Sequence, residues 1–161
     1  MVALSILSIA VASGKAGFVF MHDGKLQDWG ITVKAAKTGS DLVGFVQELI
    51  NQLRPAVIVT EDCTNGCRKG KKTKKLIASV SALASHNTVL DVSVVRSRTF
   101  QSKYEEAQAL AVRYPEIAGY LPTQKRRIFD FEPRSMVLFE AIALAEEVSS
   151  GPPTRLAMAM G

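Results

Sequence analysis

Cysteine is nearly absent from this 161-residue sequence, and its scarcity excludes several protein classes. Cys63 and Cys67 are the only two, spaced C-x-x-x-C, far below the density of a disulfide-built scaffold. Neither His22 nor His86, the only histidines, stands at a zinc-motif spacing from them, which argues against a structural zinc site. The pair reads as two small, half-buried thiols suited to a reducing cytosol, with a redox pair as the alternative. His22 falls at a hairpin and His86 at a helix end, so no Ser-His-Asp or Cys-His constellation is readable. Long apolar runs are missing as well. The opening stretch from Met1 to Ala12 has no basic leader, is too short to span a bilayer and contains Ser5 and Ser8. It reads as a core strand, and the chain as a soluble, cytoplasmic protein without membrane contact. A phosphate loop is absent: around Ser13-Gly14-Lys15, Ile9 stands where the first glycine belongs and Ala16 replaces the Ser or Thr.

What the chain has is apolar content and concentrated positive charge. At 47% hydrophobic residues it can bury one sizeable core, so a single domain over residues 1–148 is expected. The tail from Ser149, with Gly151-Pro152-Pro153, reads as a flexible extension. The formal charge is +5, and Arg68, Lys69, Lys71, Lys72, Lys74 and Lys75 place six positive charges in eight residues. The rest of the chain is therefore nearly neutral. A basic patch of this kind points to a polyanionic partner.

The hydrophobic pattern alternates strands and helices. Leu4 to Val11, Gly17 to Met21 and Lys25 to Val33 read as three strands, with Asp23-Gly24 as a hairpin turn, forming an antiparallel meander. Ser40 and Asp41 open a helix whose apolar positions run from Leu42 to Leu53 and which Arg54-Pro55 stops. Ala56-Val57-Ile58-Val59 suits a strand buried on both faces, ending in Thr60-Glu61-Asp62. A helix over about 72–85, a strand over 89–95, a helix over 103–113 and, after a Pro-interrupted stretch, a helix over 134–148 complete the order βββαβαβαα. This predicts an α/β fold with a mixed five-stranded sheet flanked by helices.

Chemistry is expected at the carboxyl ends of the parallel strands, where open α/β sheets meet their ligands. Glu61 and Asp62 stand there, either as site acids or as a solvated pair. Glu140 lies within Leu138-Phe139-Glu140-Ala141-Ile142-Ala143-Leu144-Ala145, where a charge needs a partner, a metal or a solvent cleft unless it points outward. The basic run after Glu61 leads into a helix start, so backbone N–H groups and ammonium charges could meet phosphate together. Arg96, Arg98 and Lys103 extend that surface, and Gln124-Lys125-Arg126-Arg127 forms a second, ambiguous patch. Phe100, Tyr104 and Trp29 could stack on bases or belong to the core.

Three stretches resemble the RuvC-like Holliday-junction resolvases of the RNase H-like superfamily, over roughly Leu4 to Glu147. Ile6 to Phe18 is similar to that family's opening strand and its turn into a hairpin. Val57-Ile58-Val59-Thr60-Glu61-Asp62 resembles its fourth strand, ending in a glutamate. Phe139-Glu140-Ala141-Ile142-Ala143-Leu144-Ala145 resembles its closing helix. A subgroup of RuvC-like proteins also shares stretches similar to Lys103-Tyr104-Glu105-Glu106-Ala107 and Phe131-Glu132-Pro133-Arg134.

The resemblance implies an RNase H-like fold, a homodimer, a DNA partner such as a four-way junction, and phosphodiester hydrolysis by two divalent ions, Mg²⁺ or Mn²⁺. Glu61 and Glu140 map onto two metal-ligand positions, with Asp62 adjacent. Two departures matter: Ala10 stands at the family's central aspartate, and Val137 stands where a further acid precedes the closing-helix carboxylate. An alanine cannot coordinate a cation, so metal binding is expected to be weakened. Asp28 and Glu132 are the nearest substitutes. Three readings follow: a resolvase-type nuclease disabled at Ala10, a nucleic-acid-binding module that has lost its metal chemistry, or, disfavoured by the missing phosphate loop, an ATP-handling or scaffold protein of the wider superfamily.

Overall fold

The structure, a computed structural model, describes residues 4–64, 67–96, 100, 102–121 and 135–149. Three antiparallel strands open the chain: β1 (Ser5–Ala12), β2 (Lys15–His22) and β3 (Lys25–Thr32). The turn between β2 and β3 is the expected Asp23-Gly24, both residues at positive φ (54° and 77°), the geometry of a tight hairpin turn. Helix α1 (Gly39–Leu53) leads to β4 (Val57–Glu61), α2 (Lys71–Ser85) to β5 (Leu90–Val94). Helix α3 (Lys103–Arg113), a 3₁₀ helix at Pro115–Tyr120 and α4 (Met136–Ser149) complete the described chain. The order matches the sequence expectation element by element. One detail differs: Thr38, not Ser40, caps α1, its side chain accepting from the Asp41 N–H. The 3₁₀ helix, which begins at Pro115, was not legible beforehand.

The sheet runs β3-β2-β1-β4-β5, antiparallel in the meander and parallel across β1, β4 and β5. The expected mixed, five-stranded α/β sheet is therefore present, with β1 at its centre. Alternate residues of β1 face opposite ways. Leu7, Ile9 and Val11 pack under α1 and α2, whereas Ile6 and Ala10 pack under α3 and α4. The central strand is thus buried on both faces, which explains its unbroken apolar run.

Helix α4 is apolar around nearly its whole circumference because it lies flat on β1 and β2. A buried hydrogen bond from Ser8 Oγ to the Ala141 carbonyl, 2.6 Å, fixes it to the central strand one residue beyond Glu140. Gly17, opposite Ala10 in the ladder, allows the close approach: a Cβ there would lie 2.9 Å from the Val137 carbonyl oxygen. Gly17→Ala must therefore move a packed helix, and we expect it to cost about 1–3 kcal/mol, read as a lower urea midpoint. At the far side α3 is tied to α4 through Tyr114, which donates to Glu146 at 2.8 Å, and through Arg113–Glu146 at 2.9 Å.

Among the described residues no helix is long and apolar enough to cross a membrane. Residues 150–161, and with them the sequence reading of a flexible tail, lie outside the described residues, as do Arg98, Gln124 to Arg127 and Glu132.

Candidate carboxylate site and nucleic-acid interface

The parallel strands end where α3 and α4 meet the loop before α2, and there the structure forms a cavity of about 580 Å³. Glu61 reaches it because β4 stops at that residue, and Glu140 because α4 presents it to the sheet between two buried apolar turns. Glu61 and Glu140, both singled out from the sequence, therefore line the same cavity. Glu140 is 6% exposed, so its charge depends on what surrounds it.

What surrounds it is cationic. The Lys69 ammonium donates to Glu140 Oε1 at 2.5 Å and to the Val11 carbonyl, and lies 3.5 Å from Glu61 Oε1. The Arg96 guanidinium pairs with Glu106 and stands 3.9 Å from Glu140 Oε1. Lys69 and Arg96, read from sequence as phosphate-facing, point instead into the carboxylate cluster. Burial pushes the Glu140 carboxyl up, but Lys69 and then Arg96 outweigh it and hold it below the ordinary carboxylate range. Glu61 is raised: burial dominates, Lys69 only partly offsets it, and Glu140 adds repulsion. Glu61 Oε1 is buried and has no hydrogen-bond partner among the described residues.

Glu106 joins the cluster, a carboxylate to which sequence reasoning gave no role. Burial raises its pKa, and Arg96 works against that shift. A signal existed: Glu106 precedes the buried Leu110 by four residues and follows the cavity-lining Lys103 by three, so all share one flank of α3. Sequence alone could not choose between Glu105 and Glu106.

The other candidates divide clearly. Ala10 is buried under α4 on β1, one residue before the carbonyl that Lys69 contacts. The carboxylate of Asp62 is engaged by the Thr64 backbone N–H at 3.0 Å and its hydroxyl at 2.6 Å, bonds that hold it below its ordinary pKa, and Asp62 does not line the cavity. Asp28 is exposed on β3, away from the cavity. Arg68, Lys103 and Phe100 line the cavity, while Trp29 and Tyr104 pack against the core under α4. Lys71, Lys72, Lys74 and Lys75 are exposed on the first turns of α2.

The cysteines require a correction. They are not two free thiols, because Cys63 and Cys67 form a disulfide, with Cα atoms 4.8 Å apart. A four-residue separation permits such a bond without dictating it. Glu61 and the two sulfurs lie within 4.8 Å of one another, but sulfurs bonded to each other offer no thiolate to a metal.

The described donors do not fit a pair of divalent ions. Ala10 supplies no bridging carboxylate, and among the described residues the cavity is lined by three carboxylates against four cationic side chains, Arg68, Lys69, Arg96 and Lys103. Divalent ions bound by hard oxygen ligands need the opposite balance.

No protein-family model matches the chain, and no curated protein does either. Solved structures do. Thermus thermophilus RuvC in complex with a Holliday junction substrate aligns with a TM-score of 0.55 at 15% identity, over 92% of this chain and 96% of that one. A second Thermus thermophilus RuvC structure gives 0.53 at 14% identity, over 92% and 97%. Fowlpox virus resolvase in complex with Holliday junction DNA gives 0.58 at 10% identity, over 91% and 99%. At such identities the likeness is one of architecture, and it spans nearly the whole of each partner. The chain has the RuvC-like resolvase fold.

Proposed function

We propose that this chain is a structure-specific DNA-binding protein of the resolvase type, recognising branched DNA such as a four-way junction, in which the phosphodiester-cutting centre is disabled at Ala10. The observation that carries the reading is the lysine row at the start of α2. Helices α1 and α3 have acids in their first turns, as the helix dipole favours, whereas α2 has none and opens on Lys71, Lys72, Lys74 and Lys75. Cations at that end oppose the dipole, and its cap, Gly70, provides no side-chain hydrogen bond. A phosphate backbone would satisfy the helix end and the four ammonium groups together. The row begins two residues after Lys69, so bound DNA would pass the mouth of the carboxylate cavity.

The fold shared with proteins solved on Holliday junctions supports the choice of branched DNA, and the two-fold character of such a junction fits a homodimer. Glu61 and Glu140 keep the resolvase-like positions, but Ala10 leaves Mg²⁺ or Mn²⁺ without its bridging ligand. The chain therefore holds DNA without cutting it.

Competition binding tests the reading. A labelled four-way junction and a linear duplex of matched sequence should be bound with clear preference for the junction, measured by fluorescence anisotropy. Equal affinity for the two would overturn the branched specificity, and no binding to either would overturn the function.

A further inference from the structure

Lys69 addresses three oxygens from three different elements: it donates to the Val11 carbonyl on β1 and to the Glu140 carboxylate of α4, and it forms an ion pair at 3.5 Å with the Glu61 carboxylate ending β4. An ammonium carries three N–H donors and no acceptor, so one lysine can address this whole set. We infer that Lys69 is a built-in cation standing where a divalent metal would be held, closing the Glu61–Glu140 pair to Mg²⁺ and Mn²⁺ even if a carboxylate were restored at position 10. The inference rests on the reading of Glu61 and Glu140 as the remnant of a cutting centre.

Three further observations support it. Lys69 is held from both sides: two residues before it Cys67 is bonded to Cys63, and directly after it Gly70 caps α2. The Arg96 guanidinium adds a second cation 3.9 Å from the same Glu140 oxygen, and Lys103 also draws the Glu140 carboxyl down. A divalent ion would enter a cavity already carrying an excess of positive charge, and would have to displace an ammonium whose hydrogen bonds it must then replace. Finally, the otherwise unpartnered Glu61 Oε1 faces this ammonium, so the buried oxygen most available to a metal is already opposite a cation. Ala10 and Lys69 are complementary: with no carboxylate at position 10 the site carries less negative charge, and the ammonium balances what is there.

Two measurements test this, neither involving DNA. Mn²⁺ binding followed by electron paramagnetic resonance should be undetectable for the unaltered chain and for Ala10→Asp, should become detectable in Lys69→Met, and should be tighter still in Lys69→Met/Ala10→Asp. Mn²⁺ uptake by the unaltered chain equal to that of Lys69→Met, or no gain in either Lys69 variant, would overturn the inference. Because Lys69→Met loses a buried counter-ion, a second readout uses the unaltered chain alone. In lysine-selective nitrogen NMR, millimolar Mn²⁺ should leave the Lys69 Nζ signal unbroadened, whereas selective broadening at Lys69 over Lys71 would show a metal beside it and end the proposal. Junction binding can succeed or fail independently of both results.

Discussion

Replacing Lys71, Lys72, Lys74 and Lys75 together by Ala will weaken junction binding by on the order of 100-fold near physiological salt and flatten its salt dependence. Each phosphate neutralised by a lysine contributes about 0.9 to the slope of log affinity against log salt, so four contacts account for about 3.6 units. All four side chains are exposed and outside the carboxylate cavity, so the fold should not suffer. Stability should even rise slightly, because four cations at the positive end of α2 oppose its dipole. Anisotropy titrations over a salt series give the slope, and thermal melts give the stability. An unchanged slope would remove the lysine row from the interface.

The second large effect concerns stability. Lys69→Met leaves Glu61 and Glu140 facing one another without their nearest cation, and removing one partner of a buried ion pair costs about 3–5 kcal/mol. Lys69 is 17% exposed and Arg96 remains nearby, so about 3 kcal/mol is expected. The cost must depend on pH. In the unaltered chain the Glu140 pKa lies below its ordinary 4.5, so the stability it contributes is present above that value and lost as pH falls through the folded one. Without Lys69 the strongest downward influence on Glu140 is gone, burial weighs more heavily against its charge, and only Arg96 and Lys103 still draw it down, so the variant should lose less stability on acidification. The difference between the two proteins should be greatest at neutral pH and shrink below the carboxylate range. Urea unfolding across pH measures it, and a difference independent of pH would show that Lys69 acts by packing alone.

Most of the fold was legible because its signals are local. Asp23-Gly24 dictates a hairpin, Arg54-Pro55 a helix stop, and Val57 to Val59 a strand buried on both faces. Glu61 drew attention as an acid at a strand's carboxyl end, where ligands gather, but its pairing with Glu140 came from the family resemblance, because the residues alone left Glu140 free to point outward. What escaped were side chains whose direction periodicity does not set. Lys69 lies in a loop, and nothing local distinguishes a lysine reaching inward from the exposed lysines beginning two positions later. Arg96 follows the last residues of β5 and turns inward because Glu106, on an element that begins seven residues later, awaits it. A C-x-x-x-C spacing does not by itself dictate the Cys63–Cys67 bond, and the capping by Thr38 depends on where the chain leaves β3, which apolar spacing does not report.

The most direct test incubates a labelled four-way junction with the unaltered chain and with Ala10→Asp/Lys69→Met in Mg²⁺, scoring retention and strand cleavage in the same reaction. The unaltered chain should retain the junction and leave all of its strands intact, and nicking should appear only in the double variant, where the carboxylate is restored and the internal cation removed. Cleavage by the unaltered chain would contradict it, because a centre neutralised by Lys69 and lacking a ligand at Ala10 could not then be the whole of the chemistry.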